Sequence, residues 1–206
     1  MEKDKKNIIL ILFSLLATLL WGCAPQGVKT AGISNEPIKP GLSKNMSLPI
    51  FELPIPQSEP EKNYLGLSGT GNFKVGQINA QVLIIEVFNF YCPHCQHAAP
   101  RVNELYQEIQ GRSDLKEKVK IIGIGIGNSP YEVNSFREKY QVPFPLFSDK
   151  STAISNMLSV TATPTFIGVK MNDKGSQECF YYNAGSFGED ARQFLADMMK
   201  LSGLGD

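Results

Sequence analysis

The chain has 206 residues, enough for one domain with a substantial hydrophobic core, and its 20 basic residues balance 20 acidic ones. That balance excludes a strongly basic nucleic-acid surface and gives no electrostatic pull toward an anionic membrane. Hydrophobic residues make up 42% of the chain, which fits a folded protein and not a disordered one.

Residues 1–22 stand apart from the fold. Lys3, Lys5 and Lys6 precede an apolar run from Ile8 to Trp21 that only Ser14 and Thr18 interrupt. The run is shorter than the ~20 apolar residues a spanning helix needs, and a charged start followed by such a run is the pattern of a signal peptide. It ends at Gly22-Cys23. This junction resembles the lipobox of bacterial lipoproteins, which implies lipid attachment at Cys23, although Trp21 departs from the small residue those proteins carry. An uncleaved anchor is the other reading, and both place the domain outside the cytoplasm at a membrane.

From residue 23 to residue 60 the composition shifts to Pro25, Pro37, Pro40, Pro49, Pro54, Pro56 and Pro60 among Gly, Ser, Asn and Lys. Such a stretch buries too little apolar surface to offset its ordering entropy, and it reads as a tether of about 35 Å reach. Within it, Leu48-Pro49-Ile50-Phe51 could dock on the domain that residues 61–206 are expected to form.

Phe73–Val75 and Val82–Phe88 read as strands, the second nearly all apolar, as expected of a strand covered on both faces. Glu86 is its one charged residue. A helix is expected from Pro93 to Gly111, with Val102, Leu105, Tyr106 and Ile109 as its apolar stripe. Val119–Ile126 reads as a second buried strand. Ser129 and Glu132 have the spacing of a capping box for a helix running to Tyr140. Residues 143–147 read as a short extended segment and Ser151–Leu158 as a short helix. Thr165–Met171 and Cys179–Asn183 flank the hairpin signal Asn172-Asp173-Lys174-Gly175, and a helix from Gly188 to Leu201 ends the chain. The order implies one α/β domain, a mixed central sheet flanked by helices. Gly123, Gly125 and Gly127 alternate within a strand instead of opening a helix, so they are assigned a structural role and not a nucleotide loop.

The chemistry is concentrated in Phe90-Tyr91-Cys92-Pro93-His94-Cys95. A Cys-x-x-Cys pair at a strand-to-helix junction lets the two sulfurs approach, and the helix N-terminus favours a thiolate. Cys92, at the open end, is expected to attack, and Cys95, one turn in, to resolve. His94 between them can stabilise the Cys92 thiolate, which makes the disulfide more oxidising.

At this point the sequence resembles the thioredoxin superfamily, over about residues 62–203. Pro100 stands five residues after Cys95, where thioredoxins carry a proline in the helix. Glu86 lies six residues before Cys92, at the position of the family's buried proton-relaying carboxylate. Thr163-Pro164 occupies the place of the family's cis-proline, which implies a contact with the disulfide and with a substrate peptide. The resemblance thus implies a thioredoxin-like fold, with Cys92, Cys95, Pro93, His94 and Glu86 catalytic and Thr163 and Pro164 substrate-binding. The active-site segment is similar to that of DsbA. Cys92 and Pro164 are only 72 residues apart, a spacing without the DsbA helical insertion and more similar to that of the membrane-tethered TlpA/ResA group. The expected activity is extracytoplasmic exchange of disulfides with protein thiols, oxidant ahead of reductant, with no cofactor beyond the Cys92–Cys95 disulfide. A membrane redox partner is expected, and no nucleic acid.

Two other chemistries compete. Cys92, His94, Cys95 and His97 are metal-type ligands, so a thioredoxin-fold metallochaperone for copper or zinc is the alternative. All four fall within six residues and no distant ligand completes a tetrahedral site. A peroxiredoxin-like peroxidase resembles a chain with Thr three residues before the reactive cysteine; Asn89 stands there. Cys179 reads as a small buried apolar side chain.

Overall fold

The structure is a computed structural model that describes residues 46–172, 177–188 and 190–205. The expected signal peptide, Cys23 and the tether up to residue 45 lie outside the described residues, as do residues 173–176 of the expected hairpin turn. Among the described residues no helix is long and apolar enough to cross a membrane.

The elements in chain order are β1 (Met46–Ser47), β2 (Glu52–Pro54), α1 (Glu59–Leu65), β3 (Asn72–Lys74), β4 (Val82–Phe88), α2 (Pro93–Gly111), β5 (Val119–Ile126), α3 (Pro130–Tyr140), β6 (Leu146–Asp149), α4 (Ala153–Met157), β7 (Thr165–Met171), β8 (Gln177–Ala184) and α5 (Ala191–Ser202). Six strands form one sheet in the order β1-β8-β7-β4-β5-β6, and β2 and β3 pair separately. β4, β5 and β6 run parallel, whereas β7 is antiparallel to both β4 and β8. This is the mixed, helix-flanked sheet of the thioredoxin-like fold, in a single domain.

β4 lies inside the sheet and all seven of its residues are buried. Its pleat sends alternate side chains to opposite faces. Val82, Ile84 and Phe88 join a core with the α2 residues Cys95, Ala99, Val102 and Leu105, closed by Phe136 of α3 and Phe194 of α5. Leu83, Ile85 and Val87 point the other way, into a second core with Phe73, Leu65 and Phe147. The glycines of β5 serve the first face. A Cβ on Gly123 would collide with Leu146 and Phe88, and one on Gly125 would lie 2.8 Å from Val133 Cγ2. Their structural assignment follows from this close approach.

The domain begins earlier than expected, which corrects the boundary at residue 61. Residues 46–60 belong to it: Met46 and Ser47 pair with Cys179 and Glu178 of β8, and Leu48, Phe51 and Leu53 are at most 4% exposed in the second core. The prolines are compatible because they need no ladder hydrogen bond where they fall. Pro49 follows β1, Pro54 ends β2, and Pro60 lies in the first turn of α1, where its missing N–H has no intrahelical partner to lose. Ser58 caps that helix, its hydroxyl accepting the Glu61 N–H.

β6 also begins later than residue 143, because Pro143 and Pro145 cannot donate to the ladder; the Pro145 carbonyl instead accepts the Gly123 N–H at 2.9 Å. The last helix starts after Asp190, whose carboxylate accepts the N–H groups of Arg192 and Gln193.

Candidate active site

The site forms where β4 ends and α2 begins. Cys92 is the N-cap of α2 and Pro93 its first residue, a position whose fixed φ suits a helix start. The Cys92 Sγ accepts the Cys95 N–H at 3.3 Å. Cys92 is half-buried and Cys95 is fully buried. Facing them is Thr163-Pro164, joined by a cis peptide bond, and the Cys92 thiol donates to the Thr163 carbonyl oxygen at 3.3 Å. The turn that presents Thr163 is closed by Thr165 Oγ1 donating to the Ala162 carbonyl at 2.7 Å, and the Gly185 N–H donates to the Pro164 carbonyl at 2.7 Å.

The two thiols differ electrostatically. Partial burial pushes the Cys92 thiol up, but hydrogen bonding from the side chains of Cys95 and Thr163 and from the N–H groups of Cys95 and His94 outweighs it, so its pKa lies below the ordinary cysteine value. Burial, and then the hydrogen bond with Cys92, push the Cys95 thiol well above that value. One sulfur is accessible and the more easily ionised of the two; the other is shielded and holds its proton more tightly.

Glu86 lies on β4 between Gly123 of β5 and Phe166 of β7. Strand alternation places it with Val82, Ile84 and Phe88 on the face that packs against α2. It is 2% exposed, its Oε1 has no hydrogen-bond partner, and burial, with a smaller contribution from Cys92, pushes its pKa up to about 8.

The loop from residue 89 to residue 91 is held by amides whose role the sequence reading did not identify. Asn89 Nδ2 donates to the Ile126 carbonyl at 2.7 Å, and its Oδ1 accepts the Tyr91 N–H at 2.8 Å. Asn128, fully buried, accepts the Phe90 N–H at 2.8 Å, and Gln96 Nε2 donates to the Phe90 carbonyl at 2.9 Å. Tyr91, 65% exposed, donates its hydroxyl to Glu132 at 2.6 Å. That bond and those from Ser129 draw the Glu132 carboxyl down to about 2. The only sequence signal for this arrangement was the capping box at Ser129 and Glu132, both halves of which are present.

His94 and His97 are exposed. Among the described residues, no group of three or more His, Cys, Asp or Glu side chains is arranged to hold a metal ion. Cys179 is buried in the second core, across the sheet from the cysteine pair, and its thiol donates to the Tyr181 carbonyl at 3.4 Å.

A sequence profile of the AhpC/TSA family matches residues 47–176, well over half of the chain. The chain belongs to the AhpC/TSA family. The matched span starts at Ser47, inside β1, and takes in the cysteine pair and Thr163-Pro164. Outside the profile, this AhpC/TSA family chain is similar to thiol-disulfide oxidoreductases named ResA. The one from Geobacillus thermodenitrificans is 26% identical over 92 residues, 45% of this chain and 50% of that protein. The one from Oceanobacillus iheyensis is 22% identical over 172 residues, 83% of this chain and 80% of that protein. In the first of these the chain spans about half the relative's length. The crystal structure of a Chlorobium tepidum protein, described as the thiol:disulfide interchange protein DsbE, superposes with a TM-score of 0.59. That match covers 78% of this chain and 99% of the other at 14% identity, and it shows a shared fold.

Proposed function

We propose that this protein is an extracytoplasmic thiol–disulfide oxidoreductase that exchanges disulfides with protein thiols through Cys92 and Cys95. The observation that carries the reading is the asymmetry of the pair: an accessible thiol of lowered pKa at a helix N-cap beside a buried thiol of raised pKa. In the oxidising direction a client thiolate attacks Cys92 Sγ of the disulfide, the client–Cys92 bond forms, and Cys95 leaves with the electron pair and takes a proton. A second client thiolate then attacks the client's own sulfur, the client disulfide forms, and Cys92 leaves as the thiolate. In reverse, Cys95 must lose its proton to resolve the mixed disulfide, and Glu86 is the carboxylate assigned to receive it. Thr163 and Pro164 form the surface against which the client backbone lies.

The reaction calls for no cofactor. Export and membrane attachment at Cys23 are supported by the pattern of residues 1–23, and a membrane redox partner would reset the pair. A peroxidase of this family resembles a chain with Thr three residues before the reactive cysteine, and Asn89 at that place instead braces the loop through the Ile126 carbonyl and the Tyr91 N–H.

The poise is assigned to the oxidising side because whatever stabilises the Cys92 thiolate favours the reduced protein. Equilibration of the full chain with glutathione should return a potential above thioredoxin's, about −270 mV; a value at or below that removes the oxidant direction. His94→Ala should lower the potential by roughly 5–20 mV, the equivalent of ~0.3–1 kcal/mol for a charge at a helix terminus. An unchanged potential would separate His94 from the chemistry.

A further inference from the structure

Two hollows flank the contact between Cys92 and Thr163. One is a groove of about 410 Å³ bordered by Pro164 and Ala184. The other, of about 480 Å³, has Asn89, Tyr91 and Cys92 in its wall. Asn89 meets both cysteines with its backbone. Its carbonyl accepts the Cys92 N–H at 3.1 Å. Its N–H donates toward the Cys95 sulfur, and among the contacts that favour ionisation of that thiol it is the strongest, ahead of the one from Thr163.

The side chain of the same residue fixes where these backbone groups point. Asn89 Nδ2 donates to the Ile126 carbonyl at the end of β5, at 2.7 Å, and Oδ1 accepts the Tyr91 N–H at 2.8 Å. An amide supplies a donor and an acceptor on one short planar group. An aspartate would set an oxygen against the Ile126 carbonyl, and a leucine of similar shape would make neither bond. All four hydrogen-bonding groups of Asn89 are thus committed, the side-chain pair to β5 and the loop, the backbone pair to the cysteines. Gln96 braces the same loop at a different point, the Phe90 carbonyl.

We propose that the Asn89 side chain is a positioning device for the resolving sulfur: by anchoring its own backbone to β5, it holds a hydrogen-bond donor on Cys95 Sγ, where negative charge gathers as that sulfur attacks the mixed disulfide. The inference rests on the exchange reaction proposed above and assigns a residue to its second step. Cys95 is fully buried, so a protein donor has to stand in for water. A donor fixed in advance needs no reorganisation at the moment of reaction.

The test separates the two sulfur steps with a symmetric aromatic disulfide, dithiobis(nitrobenzoate), added in excess to the reduced full chain. The Cys92 thiolate attacks one sulfur of the reagent, a Cys92–aryl disulfide forms, and one coloured aryl thiolate leaves at a rate proportional to reagent concentration. Cys95 then loses its proton and attacks Cys92 Sγ. The Cys92–Cys95 bond forms and the second aryl thiolate leaves, at a rate independent of reagent concentration. The dithiol loses two electrons and the reagent gains them. Cys92→Ser supplies the background from the other cysteines.

In Asn89→Leu the second rate constant should fall by about three- to tenfold while the first stays within about twofold. The size is that of one hydrogen bond to a charged group, roughly halved on a logarithmic scale because a less acidic thiol gives a better nucleophile. Asn89 also lines the hollow beside Cys92, and the first constant reads any change of access separately. Asn89→Ala, which removes the amide without adding bulk, should give the same fall and serves where the leucine variant does not fold. Gln96→Leu, which frees the Phe90 carbonyl, should leave the ratio of the two constants unchanged.

An unchanged ratio in the Asn89 variants, or an equal fall in Gln96→Leu, would overturn the inference and leave the exchange activity standing. A wild-type chain without a second, concentration-independent release would remove the exchange reading, and the inference with it.

Discussion

Cys92→Ser is expected to abolish disulfide exchange, by about three orders of magnitude or more, to the uncatalysed rate. The remaining thiol cannot substitute. Cys95 is fully buried, and burial holds its proton, so it presents neither the access nor the thiolate that attack requires. Cys95→Ser should behave differently. Cys92 keeps its cap position, its hydrogen bond from the residue 95 N–H and its exposure, so it still attacks a client disulfide but has no neighbour to release the product. A mixed disulfide should accumulate and show as a shifted band on non-reducing gels, absent in Cys92→Ser. Identical behaviour of the two variants would refute the division of labour between the sulfurs.

Glu86→Gln is expected to change both stability and rate, with opposite signs. The Glu86 carboxyl is raised from 4.5 to about 8, so in the folded protein it is neutral where the unfolded chain is already ionised. A raised carboxyl contributes stability that is complete below about pH 4.5 and is lost as pH rises toward 8. At ~1.4 kcal/mol per pKa unit, the loss across that window is on the order of 5 kcal/mol. Gln cannot ionise, so the stability of the variant relative to the wild type should rise steadily between those limits, as measured by urea unfolding at a series of pH values. A constant difference would mean that Glu86 titrates normally. The rate should suffer, because Glu86, on the strand face that packs against α2, is the carboxylate proposed above to take the proton of the resolving thiol. Release of client from the mixed disulfide should slow by about a hundredfold, in the usual range for general base catalysis, and its rise with pH toward 8 should disappear.

Much of the site was legible because its determinants are local. The run Val82–Phe88, the stripe from Val102 to Ile109 and the Ser129–Glu132 capping box each depend on residues within one element, and the structure places each at its expected limits or within a residue. Cys92 at the N-cap follows from the strand ending at Phe88 and the helix beginning at Pro93. The cis bond at Pro164 was different: the dipeptide alone favours trans, and only resemblance to a known fold pointed to it. What escaped notice depends on partners far along the chain. Asn89 and Asn128 bond across 37 and 38 residues, and nothing in Asn89's own neighbourhood marks it as a brace. The segment from Met46 to Pro60 was read as tether because composition averages over positions, although the docking expected of Leu48-Pro49-Ile50-Phe51 is seen in the burial of Leu48 and Phe51. Three buried side chains, Leu48, Phe51 and Leu53, decide its fate.

The entry of the chain through β1 bears on how the domain would carry a mechanical load. Met46 joins the sheet opposite Cys179, five residues from the Ala184 end of β8 that borders the groove, or about 17 Å along a strand. A pull on the chain ahead of Met46 would therefore be taken up by backbone pairing at the sheet's edge and by the buried anchors Leu48 and Phe51. The loop from Asn89 to Tyr91, braced separately by Asn128 and Gln96, is not in that line of force. A domain held from its N-terminal side would thus bear the load first at the sheet's edge and at these anchors, on strands other than the one that leads into Cys92.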